Sequence, residues 1–309
     1  MPAEVLALFG PTGVGKTEIA LALADRLRAR GERPVAVSAD ALQVYAGLEA
    51  ITGVPGAEQR ARLEHRLVSF VPVDTRFSVA EYATLAHAEI DRLLSDGATP
   101  IVVGGTGLYL RAALAELKLR PPPPPGVRER LESELAARGA EALHADLAGA
   151  APWAAATIDR HDRHRIVRSL ELLAQGALRA PDGPNRLWTS ETRRPTRLIG
   201  LTRDRDELYA RIERRVDAMV AAGAIEEVRR AHLAGASQTA RVALGFDELL
   251  AGDVDAMKRR TRKFARRQLT WMRKLPEVEL VAIDGRTAAA VAAAIDGAGD
   301  ARRDRSDGP

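Results

Sequence analysis

The sequence predicts an α/β fold: a parallel sheet flanked by helices, interrupted by an inserted all-helical domain. Three observations carry this expectation. Short apolar runs alternate with stretches of helical periodicity, and those at residues 5–9, 35–38, 101–103 and 198–201 each suit a strand buried on both faces. The first run ends in a glycine-rich turn, Gly10 to Thr17, that opens a helix, as in a P-loop NTPase-like sheet. Five prolines at 121–125 then form a stiff border, after which residues 127–179 are helical with no strand evident.

Each element has a local cause. Val5-Leu6-Ala7-Leu8-Phe9 is a continuous apolar run closed by Gly10, and Ile19, Leu23 and Leu27 then recur at helical spacing, predicting a helix over 17–29. A weaker strand signal lies at 68–73. Ser78 followed by Glu81 is a capping-box pattern opening a helix with Tyr82, Leu85, Ala86, Ile90 and Leu93 inward, closed near Asp96-Gly97. Pro181-Asp182-Gly183-Pro184 marks a second loop, and 198–201 reads as a strand returning to the sheet. Asp204 and Glu207 resemble a helix start, with helical text to 233 and again over 246–274, and a last strand at 278–283. Residues 285–309 are Ala-rich and end in a charged stretch, so a disordered tail is expected. The expected division is a core at 1–118 plus 199–284, a helical insertion at 119–198 and the tail.

Composition sets wider bounds. A chain of 309 residues suits one large domain or two modest ones. Hydrophobic residues make up 46% but aromatics only 4%, so the core relies on Leu, Val, Ile and Ala. The formal charge of +4 says little by itself, but its distribution says more. Residues 258–274 hold nine basic residues and no acidic one, and Arg160, Arg163, Arg165 and Arg168 crowd a second stretch. Such clusters suit a phosphate backbone. The absence of cysteine excludes disulfides and thiolate metal sites. No apolar run approaches a membrane span, and no basic-then-apolar start marks a secretory signal, so a cytoplasmic protein is expected.

The chemistry begins at the turn. Gly10-Pro11-Thr12-Gly13-Val14-Gly15-Lys16-Thr17 matches G-x-x-x-x-G-K-[ST], after a strand and before a helix. Its glycines let N–H groups converge on an anion, and the helix start adds partial positive charge. Lys16 adds a full charge, and the Thr17 hydroxyl is a ligand for Mg²⁺. The motif therefore predicts binding of a di- or triphosphate, ATP among them, without saying which. A P-loop NTPase usually carries a later strand ending in an Asp for the metal. Here 101–103 ends in Gly-Gly-Thr, and the well-placed carboxylate is Asp40, after the second strand, at the sheet edge where ligands bind.

These blocks, with others in the same order, resemble the bacterial tRNA dimethylallyltransferases (tRNA isopentenyltransferases). The resemblance rests on Gly10 to Thr17, Ser38-Ala39-Asp40-Ala41-Leu42-Gln43-Val44-Tyr45, His65-Arg66-Leu67 and Val103-Gly104-Gly105-Thr106-Gly107-Leu108-Tyr109. It continues with His164-Arg165-Ile166-Val167-Arg168, Arg241-Val242-Ala243-Leu244-Gly245-Phe246 and Arg267-Gln268-Leu269-Thr270-Trp271. It covers about residues 4–284. The chain departs from the family at Glu49-Ala50-Ile51-Thr52-Gly53-Val54-Pro55, where the usual lysine is missing, and Ala41 replaces the usual serine.

The resemblance implies transfer of a dimethylallyl group from dimethylallyl diphosphate to N6 of adenine 37 in a tRNA anticodon loop, with Mg²⁺. The N6 lone pair is delocalised into the ring, so the attacking nitrogen needs a proton acceptor. A free aspartate titrates near 3.9, which makes Asp40 the candidate base, as the resemblance also implies. The same resemblance gives Arg241 a role on the diphosphate and Thr106 a role in catalysis and tRNA contact. Asp40, Ala41, Leu42, Gln43, Arg128, His164, Arg165, Ile166, Val167 and Arg168 are its further tRNA contacts. A monomer is expected. Rival readings are a small-molecule or nucleotide kinase, an AMP isopentenyltransferase, and an RNA-binding switch without transfer chemistry.

Overall fold

The computed structural model of the protein describes residues 4–120, 122–180 and 186–306. They fall into two compact units, one of residues 1–117 and 187–309, the other of 118–186. The first carries six strands: β1 (Val5–Phe9), β2 (Arg33–Ala39), β3 (His65–Arg66), β4 (Ala98–Gly104), β5 (Thr196–Thr202) and β6 (Glu279–Ala282). All pair in parallel, in the order β3-β2-β4-β1-β5-β6. Strands buried on both faces read as unbroken apolar runs, and β1 is buried along its whole length. Leu6 and Leu8 pack in one core with Ile101, Ile199 and the inner face of the helix Lys16–Ala29, namely Ile19, Leu23 and Leu27.

The register positions the site. Gly104 of β4 pairs with Phe9 of β1 on one side and Ala39 of β2 on the other. The chain therefore leaves the three strands at one level, presenting Gly10, Asp40 and Gly105 side by side at the C-terminal edge.

Several expectations differ from the structure. The segment 68–73 is not a strand; the third strand is the two-residue β3, and Leu67 and Ser69 adopt left-handed backbone (φ 59° and 48°), which no ladder accommodates. Only a single bridge, Tyr45 to Val71, remains there. Leu85 is 40% exposed rather than inward, while the Ser78–Glu81 capping box forms as expected on the helix Val79–Ser95. The helical text of 204–233 is two helices, Arg205–Ala221 and Ala224–Leu233, broken where Gly223 turns left-handed (φ 91°). Likewise Phe246–Leu250 and Val254–Met272 are separated by Gly252 (φ 75°), with Asp253 capping the second.

The tail expected to be disordered is a helix, Ala288–Ser306. Its alanines favour helix, and Val291, Ala292 and Ile295, spaced for one face, are buried against the core. Asp296, 6% exposed, accepts from Arg26 at 2.8 Å and pairs with Arg30. The second unit is shorter than the expected insertion. Residues 187–198 belong with the sheet: Trp188 lies 4.5 Å from Trp271, and Arg193 bonds Glu116 (2.6 Å) and Asp91 (2.9 Å). The loop assigned to Pro181–Pro184, and Pro121 of the proline run, lie outside the described residues. The second unit holds helices Val127–Arg138, Ala140–Ala150, Pro152–Ala155 and Arg163–Ala174, closed over Leu131, Leu143, Leu147 and Ile166.

Candidate functional site

The Gly10–Thr17 turn is a cradle in the structure. Gly13 and Gly15 take left-handed backbone (φ 79° and 113°), which turns successive N–H groups inward. The helix Lys16–Ala29 follows at once, and its first-turn N–H groups have no partner within the helix. Lys16 Nζ donates to the carbonyls of Gly10 (2.8 Å) and Pro11 (3.0 Å). An ammonium has three donors, so one remains for a phosphoryl oxygen. Burial, with the positive Arg215 nearby, lowers the Lys16 pKa to about 8 against the opposing pull of Asp40 and Glu18.

The cradle opens into a cavity of about 390 Å³ that Asp40 and Thr106 also line. Asp40 Oδ1 accepts the N–H of Leu42 at 2.9 Å, so the carboxylate caps its own turn while facing the cavity. Thr106 precedes the helix Gly107–Leu114 but makes no capping bond with its side chain, so its hydroxyl is not spent on the helix. Leu42 and Gln43 line the cavity too. The Gln43 amide is engaged: it accepts from Ser38 Oγ (2.9 Å) and donates to Gly53 O (3.1 Å). Gln43 thus ties the end of β2 to the 49–55 segment. That segment is itself anchored by Glu227, which accepts the N–H groups of Ala50 (2.8 Å) and Ile51 (2.9 Å).

Arg241, assigned to the diphosphate by resemblance, is not brought to this cavity. It pairs with Asp247 at 3.0 Å and lies over the Phe246 ring. Three other arginines stand there instead: Arg211, Arg214 and Arg215 on the helix Arg205–Ala221. Their spacing of i, i+3 and i+4 places them on one face, the one sequence signal that could have found them. Arg211 is held by Gly13 O at 2.9 Å. The Arg215 guanidinium rests on Gly53, where any Cβ would collide with it, and its Nε is buried without a hydrogen-bond partner. Four cations thus line the cavity against two carboxylates, Asp40 and Glu18. Burying like charges together is costly unless an anion joins them.

A family model described as IPP transferase matches residues 43–275. The chain belongs to the IPP transferase family. A tRNA dimethylallyltransferase of Thermobifida fusca is 41% identical over 295 residues, covering 91% of each chain. One from Anaeromyxobacter dehalogenans is 42% identical over 285 residues, 88% of this chain and 92% of its own. The crystal structure of the full-length tRNA isopentenylpyrophosphate transferase of Bacillus halodurans superposes with a TM-score of 0.68 at 30% identity, covering 98% and 99% of the two chains.

The helical unit of this IPP transferase presents a second set of expected residues. Ile166 (0% exposed) and Val167 (6%) are buried, because the helix Arg163–Ala174 turns that face inward; their side chains are core, not tRNA contacts. His164 and Arg165 are exposed, and with Arg128 and Arg168 they line one open concavity. The fully buried Glu171 receives both arginines, Arg128 and Arg168 each at 2.9 Å. Burial pushes its carboxyl up, but the bonds from Arg128 and Arg168 outweigh burial and hold it below the usual value. The stability this group supplies is therefore present above its unfolded pKa and lost as pH falls through that range. Replacing Arg128 and Arg168 together by alanine strands a buried carboxylate. The expected cost is about 3–5 kcal/mol, read as a lower unfolding temperature at neutral pH that narrows in acid.

Proposed function

We propose that this IPP transferase moves the dimethylallyl group of dimethylallyl diphosphate to N6 of adenine 37 in a tRNA anticodon loop, releasing diphosphate. One observation carries the reading. A single cavity joins an anion nest with surplus positive charge to a carboxylate, Asp40, and an uncommitted hydroxyl, Thr106. That is the equipment for a leaving diphosphate and an attacking amine that must lose a proton. The cradle N–H groups, Lys16 and Arg215 stabilise charge as it develops on the diphosphate. The bond from prenyl C1 to the diphosphate oxygen breaks as the N6–C1 bond forms. The oxygen keeps the electron pair, and the N6 proton passes to Asp40. An anticodon loop suits this site because flipping an unpaired base costs less than extracting one from a duplex.

The donor set fits Mg²⁺ held chiefly by substrate. Thr17 lines the cavity, and among the described residues no group of three or more His, Cys, Asp or Glu forms a protein cage. Mg²⁺ commonly binds through few protein ligands, phosphate oxygens and water. When bound by Thr17 and the diphosphate it would neutralise leaving-group charge. The tRNA backbone is proposed to meet exposed cations: Arg165 on the helical unit, and Lys263, Arg266 and Arg267 on the helix Val254–Met272. No helix of the described residues is long and apolar enough to cross a membrane. We expect a monomer as the working unit, acting on tRNA in the cytoplasm.

The test incubates the protein with undermodified tRNA, Mg²⁺ and either labelled dimethylallyl diphosphate or labelled ATP. N6-prenyladenosine in the nucleoside digest is expected. Retention of ATP with no prenylated nucleoside would overturn the proposal in favour of phosphoryl transfer. Donor affinity should also depend on pH. The free Lys16 titrates at about 8 and a bound diphosphate favours its charged form, so affinity is level below that value. Above it, affinity falls by up to about tenfold per pH unit. Calorimetric titration across pH 6.5–9.5 checks this, and a flat profile would contradict it.

A further inference from the structure

Thr12 and Gly105 lie just past the ends of the neighbouring strands β1 and β4, where no sheet ladder holds them. One side chain bridges them. Gln268, on the helix Val254–Met272 and 5% exposed, accepts the Thr12 N–H at 2.9 Å. Its other end donates to the Gly105 carbonyl at 2.7 Å. The amide therefore supplies the rung that the sheet lacks, between the cradle and the turn that leads into Thr106. Only a neutral group with one donor and one acceptor does this; an ionised carboxylate would face the Gly105 carbonyl with no proton to give.

The junction is tightly filled. A Cβ on Gly105 would come within 2.4 Å of Gln268 Nε2, 3.1 Å of Gly10 O and 3.3 Å of Lys16 Nζ. Lys16 in turn is bonded to Gly10 and Pro11. A shift of Gly105 is thus transmitted through Gln268 to Thr12 of the cradle. We propose that Gln268 is a positioning residue that sets the distance between the diphosphate cradle and the strand end carrying Thr106, and so aligns the leaving group with the attacking amine. The inference rests on the reading that diphosphate occupies the cradle and the adenine meets Asp40 and Thr106.

A loosened junction has a chemical signature. If the amine is out of line, water can take its place: the C1–oxygen bond to diphosphate breaks, a C1–oxygen bond to water forms, the water proton passes to Asp40 or solvent, and dimethylallyl alcohol is released with diphosphate. The experiment measures prenylated nucleoside and free alcohol together, at saturating tRNA, for the unaltered protein, Gln268→Leu, Gly105→Ala and the double variant. Each single variant is expected to lose about 10- to 100-fold in kcat for transfer, the scale of a 1 Å misplacement. Donor KM should stay within about threefold, as for an interaction felt in the transition state. The share of alcohol should rise, and the double variant should be no worse than the poorer single one, since both cut the same bridge. Partial unfolding lowers both products alike and leaves their ratio unmoved, so the ratio isolates alignment from folding. Transfer within about threefold of the unaltered protein, an unchanged product ratio, or additive losses would overturn the inference. An unaltered protein that makes no prenylated adenosine would instead remove the functional reading, and this inference with it.

Discussion

Asp40→Asn should cut prenyl transfer by roughly 10²-fold or more, with donor binding little changed. Asparagine keeps a side-chain oxygen for the Leu42 N–H, so the turn that Asp40 caps survives while the proton acceptor is lost. Single-turnover transfer with preformed tRNA and donor complexes isolates this step. A variant that transfers at the rate of the unaltered protein would show that the nitrogen sheds its proton elsewhere, and would remove Asp40 from the chemistry.

Arg215→Ala is expected to act on the other partner. The guanidinium rests on Gly53 with its Nε unpartnered, and burial, opposed by Glu18 and Asp40, pulls its pKa below the usual value. A cation so placed contributes when an anion arrives. Loss of one preorganised donor to developing charge costs about 10²–10³-fold in rate. The same change relieves repulsion with Lys16 in the ligand-free protein, so its unfolding temperature should hold or rise. Transfer kinetics and a melting curve, with and without diphosphate, check both halves. A variant that melts lower and still transfers at full rate would make Arg215 a structural residue.

The sequence made the sheet legible because parallel strands buried on both faces leave unbroken apolar runs, and because the cradle motif reports local backbone geometry. Asp40 was legible for the same reason: it directly follows a strand. The arginines were not. Arg241 lies in a matching block, yet its partner Asp247 is six residues on, and only the fold shows that neither lines the cavity. Arg211, Arg214 and Arg215 reach the site from a helix nearly two hundred residues beyond the cradle, so helical spacing gives their common face but not what it meets. Ile166 and Val167 carry the same lesson in reverse, since a matching motif does not say which side chains point inward. The tail misleads because an Ala-rich run ending in charged residues reads as disordered, whereas Val291, Ala292 and Ile295 suffice to seat an alanine helix.

The pairing of Gly104 with both Phe9 and Ala39 constrains how this enzyme can change. One residue inserted into any of the three strands would lift its loop by about 3.3 Å and rotate the next side chain to the opposite face. Nest, carboxylate and hydroxyl would then no longer share a plane. Variation in length should therefore accumulate at the far ends of the strands, where nothing reacts, while the near ends stay locked in step.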